Sequence, residues 1–291
     1  MPNSPKEGLF GRFQLGKHNT AMNKLYNNLG NQGASIIIQL DEDDNFNKKV
    51  ADFMLRRGIE HYLDQSVART IMGKNYWGPE DWTATHGGIY TKKQLLVLSH
   101  FSWSEETLMS TCPLCGKVVR NCHFAHVGLK TIQDSLLSIV KFQEFYPKTR
   151  QPKFCRYGDR RSDVWYSDQD FATATTLQLG WYLTHLKIVP KSENKTTRQQ
   201  RAMLPLEYEM PSAIEETFKS FHYYHKTGKY VNSNRYARCK DVTSGDCRVS
   251  VGDFSADNGF DLSFCVDDDP ANDIGVGASR KKEVPIRTSK T

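Results

Sequence analysis

Residues Gly252–Arg280 read GDFSADNGFDLSFCVDDDPANDIGVGASR. A Gly-Phe-Asp-Leu segment leads into an Asp-rich run, which ends on the small-residue strand Ile274–Ala278 and the basic cluster Arg280–Lys282. From Asp261 to Asp273 the chain mixes Asp, Ser, Phe, Cys, Ala and Asn. It follows neither the two-residue period of a half-buried strand nor the 3.6-residue period of a helix. The run therefore reads as a surface carried by neighbouring strands, and it assembles no catalytic set.

Working outward, Tyr236–Cys239 and Arg248–Phe254 read as short strands joined by a Ser244-Gly245-Asp246 turn. Upstream lies a clear helix. Ser212 and Glu215 form a capping box, and Ile214, Phe218, Phe221 and His225 share one face. Gly228 stops it. Val164–Ser167 and Leu179–Val189 are aromatic and β-branched, as strands are.

The first hundred residues differ in character. Residues 1–34 are polar and rich in Asn and Gly, an arm. Ser35–Leu40 (SIIIQL) predicts a strand, and a helical period begins at Lys48. A strand followed by helices invites a ribbon-helix-helix DNA binder, but the acidic turn Asp41–Asn47 faces DNA poorly. Short helices follow at Ser66–Met72 and at Lys92–Ser99, the latter capped by Thr91 and Gln94. Between them Trp77 and Trp82 flank a Gly-Pro turn and read as buried anchors, with Pro79 suited to the first position of a helical turn.

The bulk numbers narrow the class. A chain of 291 residues with 38% hydrophobic content buries a real core. The net charge of +6 is spread along the chain, so a specific nucleic-acid partner is not expected. The first residues lack a signal-peptide core, and no run of 18 apolar residues occurs, so a cytoplasmic protein without a transmembrane segment is expected. Seven cysteines do not suit a secreted disulfide framework.

Residues 112–126 read CPLCGKVVRNCHFAH. Cys112 and Cys115 have the spacing of a zinc knuckle, and Gly116 is its turn residue. With His123 and His126 they make a four-ligand tetrahedral set for a structural zinc, and Cys122 is a third thiol option. The alternative is a strand-turn-strand with ordinary buried cysteines and histidines. No dinucleotide, P-loop, nucleophile-elbow or His-Glu-x-x-His motif is present. Asp267–Asp269 lack the spacing of a calcium loop and read as a solvated turn. A hydrolase reading rests on the Cys/His cluster alone.

The ordered set IMGKNYWGPEDW (71–82), HFSWSEETL (100–108), VWYSDQDFA (164–172), GWYL (180–183), VPKSENKTTRQQRAMLP (189–205), PSAIEE (211–216), RYARCKD (235–241), VSVGDF (249–254) and IGVGASRK (274–281) resembles a group of bacterial proteins from candidate-phylum and planctomycete genomes. Their tail is similar to a target of a diversity-generating retroelement. There, adenine misreading turns template AAC codons into Asn, Asp, Ser, Tyr, Phe, Cys and Ala. On that pattern the diversified positions are Asp261, Ser263, Phe264, Cys265, Asp269, Ala271 and Asp273. Asp267, Asp268 and Ile274–Val276 fall on fixed places, and Val266 stands where the pattern has Trp.

The resemblance implies a C-type-lectin-like domain, with small antiparallel sheets and flanking helices. Ser212–Thr227 would flank the site, and Val249–Phe254 and Ile274–Ala278 would lie under it. It implies a non-catalytic protein whose variable face binds a protein or surface ligand. Phe264 is the aromatic anchor, and Ser255 and Asp257 lie on the rim. The expected architecture is α+β: an arm at 1–34, a mostly helical region at 35–108, the C-type-lectin-like domain at 109–282 and a tail at 283–291. The competing class is a zinc-stabilised nucleic-acid-associated protein centred on Cys112–His126 and the basic segments; strongly salt-dependent binding to random DNA would favour it.

Overall fold

A computed structural model describes residues 43–44, 63–87, 90–156 and 164–283. The arm, the strand at 35–40, the helix from Lys48 and the residues after 283 lie outside that set. The chain divides into two compact units, Met1–Glu60 and His61–Thr291, and the second holds both large sheets.

The second unit begins with β1 (Leu63–Asp64), α1 (Gln65–Met72), β2 (Tyr76–Trp77), α2 (Pro79–His86), α3 (Lys92–Leu98), β3 (His100–Phe101) and α4 (Glu105–Met109). Local chemistry sets these helices. Asp64 caps α1 through Ser66 N, Pro79 opens α2, and Thr91 and Gln94 cap α3 reciprocally. The break expected after Leu108 does not separate two cores. These helices are too short to enclose one, so Trp82 and Leu98 are fully buried within the same cluster as Phe124, Phe142 and Phe218. β2 also pairs in parallel with the later strand β4.

The remainder is α5 (Val119–Cys122), β4 (His123–Gly128), β5 (Thr131–Ile132), β6 (Ser135–Leu136), α6 (Ile139–Gln143), α7 (Asp170–Thr173), β7 (Gly180–His185), α8 (Thr197–Ala202), β8 (Tyr208–Glu209) and α9 (Ala213–Thr227). The last strands are β9 (Tyr236–Val242), β10 (Arg248–Ser255), β11 (Gly259–Cys265), β12 (Ile274–Val276) and β13 (Ser279–Arg280). One sheet has the order β2-β4-β7-β13-β8; the other is β11-β10-β9-β12, an antiparallel meander with β12 added in parallel. The fold is α+β. Val164–Ser167 is a turn, closed by Ser167 N donating to Val164 O, and not a strand.

α9 packs against β4 and β7 of the first sheet and against β9 and β10 of the second. Ile214, Phe218 and Phe221 of the expected face are fully buried, while His225, its fourth member, is exposed near the helix end. Contact with two sheets also buries the polar face, including Glu215, Glu216 and Lys219. Lys219 and Glu216 form an ion pair there, and the Lys219 ammonium also donates to His185 O at 3.0 Å. Ser212 Oγ accepts from Glu215 N, but the Glu215 carboxylate turns to Thr184 at 2.8 Å, so the capping box is half made. Gly228 ends the helix at φ 66°, a left-handed conformation that costs glycine little.

The core is aromatic. Trp82 packs edge-on to Phe218 at 5.3 Å, and its Nε1 donates to Val127 O at 3.0 Å. Trp82→Ala is expected to destabilise by about 3–5 kcal/mol, read as a lowered urea midpoint with an unchanged slope. Among the described residues, no helix is long and apolar enough to cross a membrane.

Candidate functional site

The thiols of Cys112, Cys115 and Cys122 and a ring nitrogen of His185 lie within 4.8 Å of one another. Among the described residues this is the one group of three or more metal-type ligands. A tight turn builds its first half. Cys112 N donates to Lys117 O at 2.7 Å and Gly116 N to Cys112 O at 2.9 Å, with Gly116 at φ 72°. α5 then brings Cys122 back toward Cys112, and β7 ends at His185, directly across from His123 in the β4–β7 register.

Three of the four residues are buried and Cys115 is half-buried. His185 Nδ1 lies 2.7 Å from Lys187 O, to which it donates. That bond leaves Nε2 as the ring atom with a free lone pair, and Nε2 is buried with no protein hydrogen-bond partner. An imidazole fixed from behind by a carbonyl is how metal-binding histidines are oriented. The bond with Cys122 holds the Cys112 thiol far below its usual range and pushes Cys122 far above its own. Cysteine binds a metal as thiolate, so a cation at this cluster would take the place of thiol protons. The set can hold a metal ion.

The expected ligands His123 and His126 are not in it. Three residues apart on one strand, they point to opposite faces of β4, so they cannot converge on one ion. His123 Nε2 meets the Tyr208 hydroxyl at 3.1 Å, and its Nδ1 lies 3.3 Å from both Val119 O and Cys122 Sγ. His126 Nε2 meets Thr184 Oγ1 at 3.3 Å. Cys122, the third thiol option, takes one place. His185 takes the other, and it has no local spacing signal; only the pairing of β4 with β7 reveals it.

The C-terminal run forms a second candidate site. Asp261, Ser263 and Cys265 alternate along β11 and so share one face of the sheet. Across it, Asp261 pairs with Gly252 and Gly252 with Tyr236, while Ser263 pairs with Ser250 and Ser250 with Arg238. Asp261 is buried, and its carboxylate accepts from the Tyr236 hydroxyl at 2.8 Å, so it is not the exposed position the pattern requires. Cys265 Sγ lies 3.1 Å from Arg238 Nη2. Phe264 points to the opposite face, half exposed, with its ring edge-on to Trp165 at 4.9 Å. Ser255 ends β10, paired with Gly259, and Asp257 sits in the turn to β11, at the other end of β11 from Phe264.

The loop after β11 is tied down largely by its main chain. Asp267 O accepts from Thr197 N, Asp269 O from Arg238 Nη2, Ala271 O from Asn194 N and Asp273 O from Tyr236 N, at 2.8 to 3.1 Å. The side chains of Asp269 and Asp273 make no hydrogen bond or ion pair with the described residues. Asp267 is the exception: Arg248 grips its carboxylate with Nε and Nη2, both at 2.9 Å, and Thr197 Oγ1 donates to it at 3.1 Å. These bonds hold its carboxyl below the usual carboxylate range, and the Arg248 grip leaves the Asp267–Asp269 run no calcium-loop character. Ile274–Val276 is buried, and a Cβ on Gly275 would stand 2.5 Å from Ser192 Oγ.

Comparison with known proteins found no family model that matches this chain and no significant match among curated proteins or solved structures.

Proposed function

We propose that the chain is a non-catalytic binding protein of the diversity-generating retroelement target type. Its ligand, a protein or surface group, meets the loop Val266–Asp273 together with Ser263, Phe264 and Cys265 of β11. The observation that carries this reading is the way the loop is held. Its shape depends on carbonyl oxygens that every residue has, and on the Asp267–Arg248 pair, which sits at a position the resemblance makes fixed. Side chains at 269, 271 and 273 can therefore change without unmaking the loop. The domain proposed to carry this face is C-type-lectin-like, with α9 beside the β9–β11 meander. Half-exposed Phe264 and exposed Val266 supply apolar contact, and Asp268 and Asp269 supply polar contact.

The test is deep sequencing of this gene from its source population. Substitutions concentrated at codons 263–265, 269, 271 and 273, beside a near-repeat and a reverse-transcriptase gene, support the reading; a uniform tail ends it. Folding gives a parallel check. Asp269→Ala is expected to leave the melting temperature within about 1–2 °C, as surface changes do. Asp267→Ala removes a bidentate ion pair that is 45% exposed on the Asp side and is expected to cost about 1–2 kcal/mol. Equal effects would mean that the loop does not depend on this anchor.

We further propose that the Cys112, Cys115, Cys122 and His185 set binds a structural zinc. Three thiolates and one imidazole form a closed tetrahedral donor set that leaves no position for substrate. The ion would tie the knuckle to the end of β7.

A further inference from the structure

Of the three sulfurs in the Cys/His cluster, two are buried in the core and one reaches solvent. Cys112 and Cys122 are buried, Cys115 is half-buried, and Gly116 and Lys117 beside it are exposed. Each sulfur lies within 4.8 Å of the other two. A dissolved oxidant therefore meets the Cys115 thiol first, and what it forms there has a second thiol at hand. Half-buried Cys265 is placed differently, with its sulfur against Arg238 Nη2, Ser250 Oγ and Arg248 O.

The turn also leaves Cys115 room to move. A disulfide holds its sulfurs about 2.05 Å apart, so Cys115 needs to close by less than about 3 Å. Residues 113–117 belong to no helix or strand. The N–H and C=O of Cys115 itself make no hydrogen bond with the described residues; the turn is closed instead through Cys112, Gly116 and Lys117. Accessible thiols poised beside a resolving thiol are the ones that oxidise reversibly.

We infer that Cys115 is an oxidative modification site, which hydrogen peroxide converts to a disulfide with Cys112 or Cys122. The Cys115 sulfur attacks one peroxide oxygen and the O–O bond breaks. The sulfur is oxidised to a sulfenic acid, and the thiol proton leaves with the departing hydroxyl as water. The buried sulfur then attacks the sulfenic sulfur, the S–O bond breaks, and its proton leaves with that hydroxyl as a second water. One peroxide is reduced and two thiols are oxidised. The step uses the side chains proposed above to hold zinc, but it rests on where the sulfurs lie, with or without the ion. A sulfur in a disulfide is no longer a thiolate donor, so the same step releases a bound metal.

The test exposes the full chain to hydrogen peroxide, once as purified and once after a chelator. Remaining thiols are then alkylated, and unreduced peptides are read by mass spectrometry. A disulfide joining Cys115 to Cys112 or Cys122 is expected in both samples, with any zinc released in step with it. Cys115→Ser, compared zinc-free and checked for folding by circular dichroism, is expected to slow oxidation of Cys112 and Cys122 about tenfold or more, because oxidation follows exposure. Cys265→Ser should leave the disulfide unchanged. Cys115 recovered alkylated or as a sulfinic acid with no disulfide would overturn the inference, as would equally fast oxidation of Cys112 and Cys122 in Cys115→Ser. A purified chain without zinc would end the zinc proposal and leave this one to be judged on the disulfide.

Discussion

Stripping zinc from the purified protein with a chelator is expected to lower its melting temperature by more than 10 °C and to loosen the Cys112–Cys122 turn. Elemental analysis before stripping is expected to find about one zinc per chain. The size follows from what the turn lacks. Cys112 and Cys122 are buried in the core and Leu114 and Cys115 pack against it, but Gly116 and Lys117 at the tip are exposed, and the turn itself is held by a few main-chain bonds. Structural zinc sites supply on the order of 10 kcal/mol of apparent binding energy, much of it expressed as folding energy. Two variants separate the folded arrangement from the one that spacing suggests. His185→Gln should abolish stoichiometric zinc, because it removes the nitrogen aimed among the thiols. His126→Gln should keep it, since His126 faces Thr184. If zinc is lost from the His126 variant and kept by the His185 variant, the proposed ligand set is wrong. No zinc in either variant or in wild type would remove the metal altogether.

The second large effect is acid instability. His86 and His126 are buried and held neutral, with pKa values lowered to about 3 by desolvation. His222 is fully buried and lowered further by burial and by neighbouring His86, His126 and His225; burial also lowers His225. The groups around this cluster are Trp77, stacked on His222 at 4.4 Å, Trp82, Phe142 and Tyr146, with Lys219 near His126. The folded pKa lies below the unfolded value near 6.5. The stability is therefore fully present above pH 6.5 and is lost as pH falls toward the folded pKa. Each such histidine removes roughly 1.4 kcal/mol per pH unit in that window. His86 and His126 together then lose on the order of 5 kcal/mol between pH 6.5 and 4.5, comparable to the stability of a whole domain. Tryptophan fluorescence is expected to report cooperative unfolding with a midpoint near pH 4.5–5. His222→Phe keeps a flat ring against Trp77 and removes two buried nitrogens that have no protein partner. It should move that midpoint down by about half a unit or more. An unchanged midpoint would place the acid sensitivity elsewhere.

Several features were legible before any tertiary structure. The caps of α3 and α9, the Gly228 stop, Pro79 at the head of α2 and the β9–β10 hairpin each depend on residues within a few positions of one another. The apolar stripe of α9 was legible for the same reason. Half of the candidate metal site was too, because Cys112, Cys115 and Gly116 form a local turn.

What stayed hidden depends on partners distant in the chain. His185 joins the thiols only because β7 pairs with β4. His123 and His126 part because a strand alternates its faces, a fact invisible until that segment is known to be a strand. The polar face of α9 is buried because the helix packs against two sheets, and periodicity can report only one apolar stripe. Asp261 reads as surface, yet Tyr236, 25 residues away, covers it.

By itself, then, the sequence determined the short-range elements: where helices begin and end, where the hairpin turns, and which segment carries side chains without a structural period. Only the tertiary structure decided which distant groups meet: His185 beside the three thiols, the buried histidine cluster and the Arg248 grip on Asp267. Caps and turns are set by hydrogen bonds between near neighbours, which a linear reading can follow. Convergent sites are set by strand register and by the alternation of strand faces, and these exist only once the sheets are assembled.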